Sequence, residues 1–362
     1  MTTNVKIDLT DENIHKIFGH EAAEDENSER LQEYYLKNDI YSRITANLPI
    51  RILVGHKGIG KSALFKIAIA EDKEKGILPI YIRPDDLIDI GKETNNFLET
   101  IREWKRGLKY IIASKVLEYA EVEPNHELYA KLKMFSGKIV NFVTETFLIL
   151  KEKINLTYTQ EAIISSYLSN KKINIYIDDL DRGWESKKND IQNLSALLNA
   201  IRDLSNDNPG LNFKISLRSD VYYLVRTSDE STDKIEGSVV WYSWNQHEIL
   251  LLLIKRIQTY LGNDFQIDSF RNLQQSQLAK YLNDVFEDNF IGVGKWEKIP
   301  MYRVLMSMIR KRPRDLVKLC TLAAKKARNS KLNKINTESL RSIFEEYSQG
   351  RIQDTVNEFK SE

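Results

Sequence analysis

The sequence is poor in several things that would have narrowed its chemistry. It holds a single cysteine in 362 residues, Cys320, so no disulfide or thiolate metal cluster can close within the chain. Set in the helical pattern LVKLCTLAAKKA, that residue reads as a small buried apolar side chain. The five histidines, His15, His20, His56, His126 and His247, include no pair at the i, i+4 spacing of a helical zinc site, which argues against a zinc enzyme. No run approaches the roughly 18 apolar residues that a membrane helix needs. Met1 to Asp11 lacks the basic-then-apolar order of a signal peptide, so the expectation is a cytoplasmic chain with no membrane partner. Excess charge is missing too: 53 basic and 52 acidic residues leave a net charge of +1, and the bulk composition demands neither nucleic acid nor an anionic surface.

What charge there is lies unevenly. From Met1 to Ile40 ten acidic residues face four basic ones, whereas between Met301 and Lys334 eleven basic residues oppose Asp315 alone. Between these ends, short apolar runs alternate with helical patterns. RILVG (Arg51 to Gly55), ILPIYIRP (Ile77 to Pro84), INIYIDD (Ile173 to Asp179), NFKISLRSD (Asn212 to Asp220) and SVVWYSW (Ser238 to Trp244) read as strands, and everything after Asn245 reads as helix. Pro79 puts the second run at a sheet edge or at a strand start. The expected fold is α/β, a mostly parallel sheet flanked by helices with a C-terminal all-α subdomain. Its expected parts are an acidic helical lead-in over 1–45, an α/β domain over 46–244 with a helical insertion at about 93–170, and a helical lid over 245–362.

The glycines, scarce elsewhere, cluster where chemistry is expected. GHKGIGKS, Gly55 to Ser62, fits G-x-x-x-x-G-K-[ST], with a strand before it and a helix after it. Gly55, Gly58 and Gly60 permit backbone conformations that turn successive N–H groups toward an oxyanion. The loop with His56, Lys57 and Ile59, and the helix start at Lys61, Ser62 and Ala63, would cradle phosphates. Lys61 can reach the outer phosphates, and the Ser62 hydroxyl is a hard ligand for Mg²⁺. Asp178 ends a buried strand where a metal shell needs a carboxylate. Asp179 just beyond it can orient or deprotonate a water, with Asp181 the competitor for that role; either can instead cap the following turn. Asn170 to Ile173 reads NKKI and lacks the aspartate of a guanine reader, so the expected nucleotide is ATP. Arg218 or Ser219, at the end of a strand, can face the terminal phosphate. Arg314 follows Pro313, which suits the first turn of a helix, and can reach the nucleotide from the lid. Arg182 is a candidate arginine finger toward a neighbouring subunit, or else a partner for Asp179 or Asp181.

Together, IDDLDR (Ile177 to Arg182), SLRSD (Ser216 to Asp220) and RPRDL (Arg312 to Leu316) resemble the metal strand, first sensor and lid arginine of the KAP and STAND-type P-loop ATPases, relatives of the AAA+ proteins. FGHEAAEDENSERLQEYY, ahead of the loop, is similar to the lead-in of a prokaryotic group of ATPases often encoded in antiviral defence loci. The resemblance implies an ASCE-type P-loop fold and an ATP- and Mg²⁺-dependent hydrolase that acts as a switch. Such a switch would couple nucleotide state to homo-oligomer assembly or to a separate effector chain. The membrane inserts of many KAP proteins and the repeat arrays of larger STAND proteins are missing. The alternative expectation is a nucleic-acid-dependent ATPase using the basic segment 301–334.

Overall fold

The computed structural model describes residues 7–88, 90, 96–119, 172–228, 230–263 and 265–359. Along the chain, helices α1 (Asp11–Phe18), α2 (Ser28–Tyr34) and α3 (Asp39–Thr45) precede strand β1 (Ile50–Val54). Then come α4 (Lys61–Glu74), β2 (Leu78–Ile82), α5 (Phe97–Tyr119), β3 (Ile173–Ile177), α6 (Lys188–Asp207), β4 (Leu211–Leu217), α7 (Ser219–Ser228) and β5 (Val239–Trp241). The remainder is α8 (Gln246–Tyr260), α9 (Ile267–Arg271), α10 (Gln275–Leu278), β6 (Asn289–Phe290), β7 (Ile299–Pro300), α11 (Met301–Met308), α12 (Pro313–Asn329), α13 (Thr337–Arg341) and α14 (Phe344–Phe359). The part of the expected helical insertion beyond Tyr119 lies outside the described residues.

The chain divides into two units. One, Asp39–Gly55 with Ala68–Trp241, is built on a five-stranded sheet in the order β2-β3-β4-β1-β5, parallel at every pairing. Strands buried on both faces need largely apolar runs; INIYI comes close, LNFKISL carries Asn212, Lys214 and Ser216 among its apolar residues, and every residue of β3 and β4 is buried. Helices α5 and α6 pack along each other, and Leu108, Ile112, Leu197, Ile201 and Leu204 join the strands in one apolar core. Pro79 falls in β2, an edge strand, where a missing N–H is tolerated. Because all five strands run the same way, the C-terminal ends of β1, β3 and β4 lie at one edge, with β4 between the other two.

Polar residues enter this sheet with hydrogen-bond partners. Asp72 on α4 accepts from Asn174 Nδ2 at 2.7 Å and from Tyr176 Oη at 2.6 Å, and Lys214 Nζ donates to the Ala46 carbonyl at 2.7 Å. Two sequence expectations are shortened here. The fourth strand stops at Leu217, because Ser219 already starts α7 with Asp220 in its first turn. The fifth is only the three residues Val239–Trp241, paired on one side to β1.

The second unit, Met1–Asn38, His56–Ile67 and Tyr242–Glu362, is mainly helical. Helix α8 is capped by Asn245, whose side chain accepts from Glu248 N, and it buries Ile249 through Ile254. Arg256 on the same helix is buried, donates to the Phe18 carbonyl and lies 4.5 Å from the Tyr34 ring centre. As expected, Pro313 opens α12, with Arg312 at its N-cap. Cys320 is fully buried on that helix, and burial pushes its thiol up. The helical expectation after Asn245 misses the β6–β7 pair, an antiparallel contact of two residues each, too short to leave a periodicity.

Candidate functional site

The loop after β1 is shaped by two of its three glycines. Gly55 still belongs to the sheet, its N–H donating to Leu217 O at 3.1 Å. Gly58 and Gly60 have φ of 75° and 106°, values L side chains adopt only under strain. A Cβ at Gly58 would also stand 3.0 Å from Arg314 Cβ. Helix α4 follows, and Leu64 N donates to Gly60 O at 3.0 Å to close its first turn. First-turn amides have no acceptor within their own helix; here they belong to Lys61, Ser62 and Ala63. Lys61 Nζ folds back to within 3.4 Å of the His56 carbonyl.

Distant residues brace this loop. The indole N–H of buried Trp244 donates to Ile59 O at 2.9 Å. From the start of α12, Arg314 N donates to Gly58 O at 3.3 Å, while its Nε donates to Glu21 O at 3.2 Å. The lid arginine expected from sequence is therefore seated against the loop. Arg312 Nη1 donates to Lys57 O at 3.3 Å and to Glu358 Oε2 at 2.8 Å. The other oxygen of Glu358 lies 3.3 Å from His56 Nδ1 and accepts from Lys57 N at 3.4 Å.

In the sheet unit, the acidic residues 178–181 gather where β3 ends. Asp178 is 1% exposed. It accepts from the Ser216 hydroxyl on β4, from its neighbour's N–H at Asp179 (3.1 Å) and from Tyr81 Oη on β2 (3.3 Å). Burial, then the charges of Asp178 and Asp179, pushes the Tyr81 phenol up, so it stays a hydrogen-bond donor. Asp179 is exposed and takes φ of 57°, a left-handed turn that Asp tolerates better than most residues. Arg218 is committed to carboxylates: Nε and Nη2 grip Asp220 at 3.1 and 2.6 Å, and Nη1 lies 3.6 Å from Asp181. Arg182 is exposed, its N–H closing the turn onto Asp179 O at 2.9 Å.

The residues expected from sequence thus fall into two sets, residues 56–63 of the loop with Arg314 in one unit and Gly55, Asp178, Asp179, Asp181, Arg182 and Arg218 in the other. Sequence reasoning overlooked their supports: Tyr81, Ser216, Trp244 and Glu358. Ser216 was open to discovery, since it is a small polar residue near the C-terminal end of a buried strand beside β3. Glu358, about 300 positions beyond the loop, carries no local signal.

Residues 248–356 match the family described as the FunZ-associated C-terminal helical domain. No curated protein matches the sequence. Solved structures similar to this chain include the Walker-type ATPase PABY2304 of Pyrococcus abyssi, 11% identical with a TM-score of 0.43 over 90% of this chain and 75% of that one. Another is the ORC2 protein of Aeropyrum pernix in its ADPNP and ADP complexes, 13% identical with a TM-score of 0.40 over 87% of this chain and 66% of that one. By its strand order and by the glycine loop between β1 and α4, the chain has the fold of the P-loop NTPases, joined to a C-terminal helical domain.

Proposed function

We propose that this chain binds and hydrolyses ATP, with residues 55–63 holding the phosphates. The observation that carries this reading is the conformation of the loop itself. Two glycines in left-handed backbone, a helix start at Lys61 and a lysine and serine on its first two positions give a concave run of N–H donors with a cation beside it. Ser62 and Asp178 fit Mg²⁺ as hard oxygen donors, and Mg²⁺ takes most of its shell from water and phosphate. When bound, it would neutralise charge on the outer phosphates.

In hydrolysis a water oxygen bonds to the terminal phosphorus while the bridging oxygen departs with ADP. The water proton passes to a carboxylate. Asp179 is our choice for that base, since it stands exposed immediately beyond the end of β3, with Asp181 the alternative. Arg218 would need to leave its carboxylates to serve as a sensor, and Arg182 is the exposed candidate to act on another subunit.

Coupling to assembly or to an effector, in a defence system or elsewhere, rests on the loop's contacts with α12 and α14: a ligand that alters the loop must alter those contacts. The nucleic-acid reading draws less support, because several of the basic residues in 301–334 have internal partners. Arg310 meets Asp315, Arg312 meets Glu358, and Arg328 meets Asp11 of the acidic lead-in at 2.5 Å. Calorimetry with ATP and Mg²⁺ tests the proposal. Lys61→Ala should weaken binding by about 10- to 100-fold, the worth of a charged hydrogen bond to phosphate. Equal ATP affinity in the wild type and this variant would reject the site.

A further inference from the structure

The phosphate loop already holds an anion of the chain's own. Glu358, in the last turn of α14, is 3% exposed and sends its carboxylate onto the loop. One oxygen takes the Lys57 amide (3.4 Å) and approaches His56 Nδ1 (3.3 Å), and the other takes Arg312 (2.8 Å). Burial alone would raise its proton affinity, but Arg312 and the neighbouring His56 and Lys57 N–H hold the carboxyl below its usual range. The helix bearing it is fastened to the start of α12 by charge. Arg351 pairs with Asp315, and Arg310 reaches both Asp315 (2.9 Å) and Thr355 Oγ1 (2.7 Å).

A main-chain amide and a guanidinium flanking a glycine loop are the groups that would receive a phosphate oxygen. Here they receive a side-chain carboxylate. In a loop of this kind the lysine and the helix start serve the inner phosphates and the bridge to the outer one. The backbone and the lysine of such a loop together cradle the outer two phosphates, and the His56–Lys57 end, farthest from the helix start, is left for the terminal one.

We propose that Glu358 is an internal competitor for the phosphate loop: it occupies the Lys57 amide and Arg312 until the terminal phosphate of a nucleoside triphosphate displaces it, and its release frees the end of α14. This rests on residues 55–63 being a triphosphate site. The displacement is an exchange of anions on one amide and one guanidinium, with no bond made or broken. A diphosphate leaves Glu358 in place, so α14 distinguishes the two nucleotides.

The test compares ATPγS and ADP binding to the full chain by calorimetry in the wild type, Glu358→Gln and Lys61→Ala. Glutamine keeps acceptor and size while removing the charge. Glu358→Gln should bind ATPγS at least about five-fold more tightly and change ADP affinity less than about two-fold, as loss of one like charge near the terminal phosphate requires. Lys61-dependent binding in the wild type with unchanged or weaker ATPγS binding in a folded Glu358→Gln would overturn this proposal and leave the nucleotide site standing. So would an equal gain for ADP. No binding of either nucleotide to the wild type or Glu358→Gln would overturn both. Should the variant not fold, hydrogen exchange in the wild type decides: amides of 344–359 should exchange faster with ATPγS than with ADP, and equal rates refute the competition.

Discussion

The loop at 55–63 and the acidic end of β3 are constructed in opposite ways. Asp178, Asp179 and Asp181 lie within four positions, and the first of them accepts from neutral hydroxyls on the two adjoining strands, Tyr81 and Ser216. The loop takes its shape from its own glycines, yet is braced by groups far along the chain: an indole at 244, guanidinium and amide groups at 312 and 314, and a carboxylate at 358. Strand neighbours are fixed by sheet register and have little freedom to move. Charged contacts from separate helices can be exchanged for others. The first region is suited to holding a reacting group still, and the second to reporting what is bound.

Substitutions can break or sharpen this contrast. The largest effect is expected at Asp179→Asn, which should slow ATP turnover by about 10²- to 10⁴-fold, the usual worth of a general base, with nucleotide affinity preserved. Asn is comfortable at a left-handed position, so the melting temperature should hold. Normal turnover would transfer the role to Asp181. Gly58→Ala should come next: left-handed strain costs about 1–2 kcal/mol, and the new Cβ presses on Arg314, so a lower melting temperature and loss of ATP binding should appear together. Ser216→Ala and Trp244→Phe each remove one hydrogen bond of about 1–2 kcal/mol. If the two regions differ as described, the first should impair turnover more than binding and the second binding more than turnover; identical patterns would erase the distinction.

The smallest effect is a pH dependence. Burial, and then the charge of Arg51, pushes the Lys214 ammonium down to about 8, whereas an unfolded lysine keeps its proton to about 10.4. Between those values the unfolded chain binds the extra proton, so this group makes the fold more stable as pH rises from 8 toward 10. Chemical denaturation should show that rise in the wild type and a shallower one in Lys214→Met.

The sheet was legible because parallel strands buried on both faces must be written as mostly apolar runs, as INIYI is but for Asn174, and because the loop motif has fixed spacing between a strand and a helix. Arg314 was legible through Pro313, which marks where α12 starts. Arg218 was only half legible: SLRSD places it at a strand end, but its two-pronged grip on Asp220 follows from α7 starting one residue later, which the strand pattern concealed. Glu358 could not be read at all. Its meaning comes from a contact spanning about 300 residues, and in isolation it is one acid among many on a polar helix.

The solitary thiol has a practical consequence. Cys320 is sealed in α12 and resists ionisation, so it should ignore reagents that attack thiolates. A cysteine placed at Ile352, 64% exposed on α14, would then be the sole reactive handle on the molecule, and a dye or spin label attached there would follow the movement of that helix without any other residue being altered.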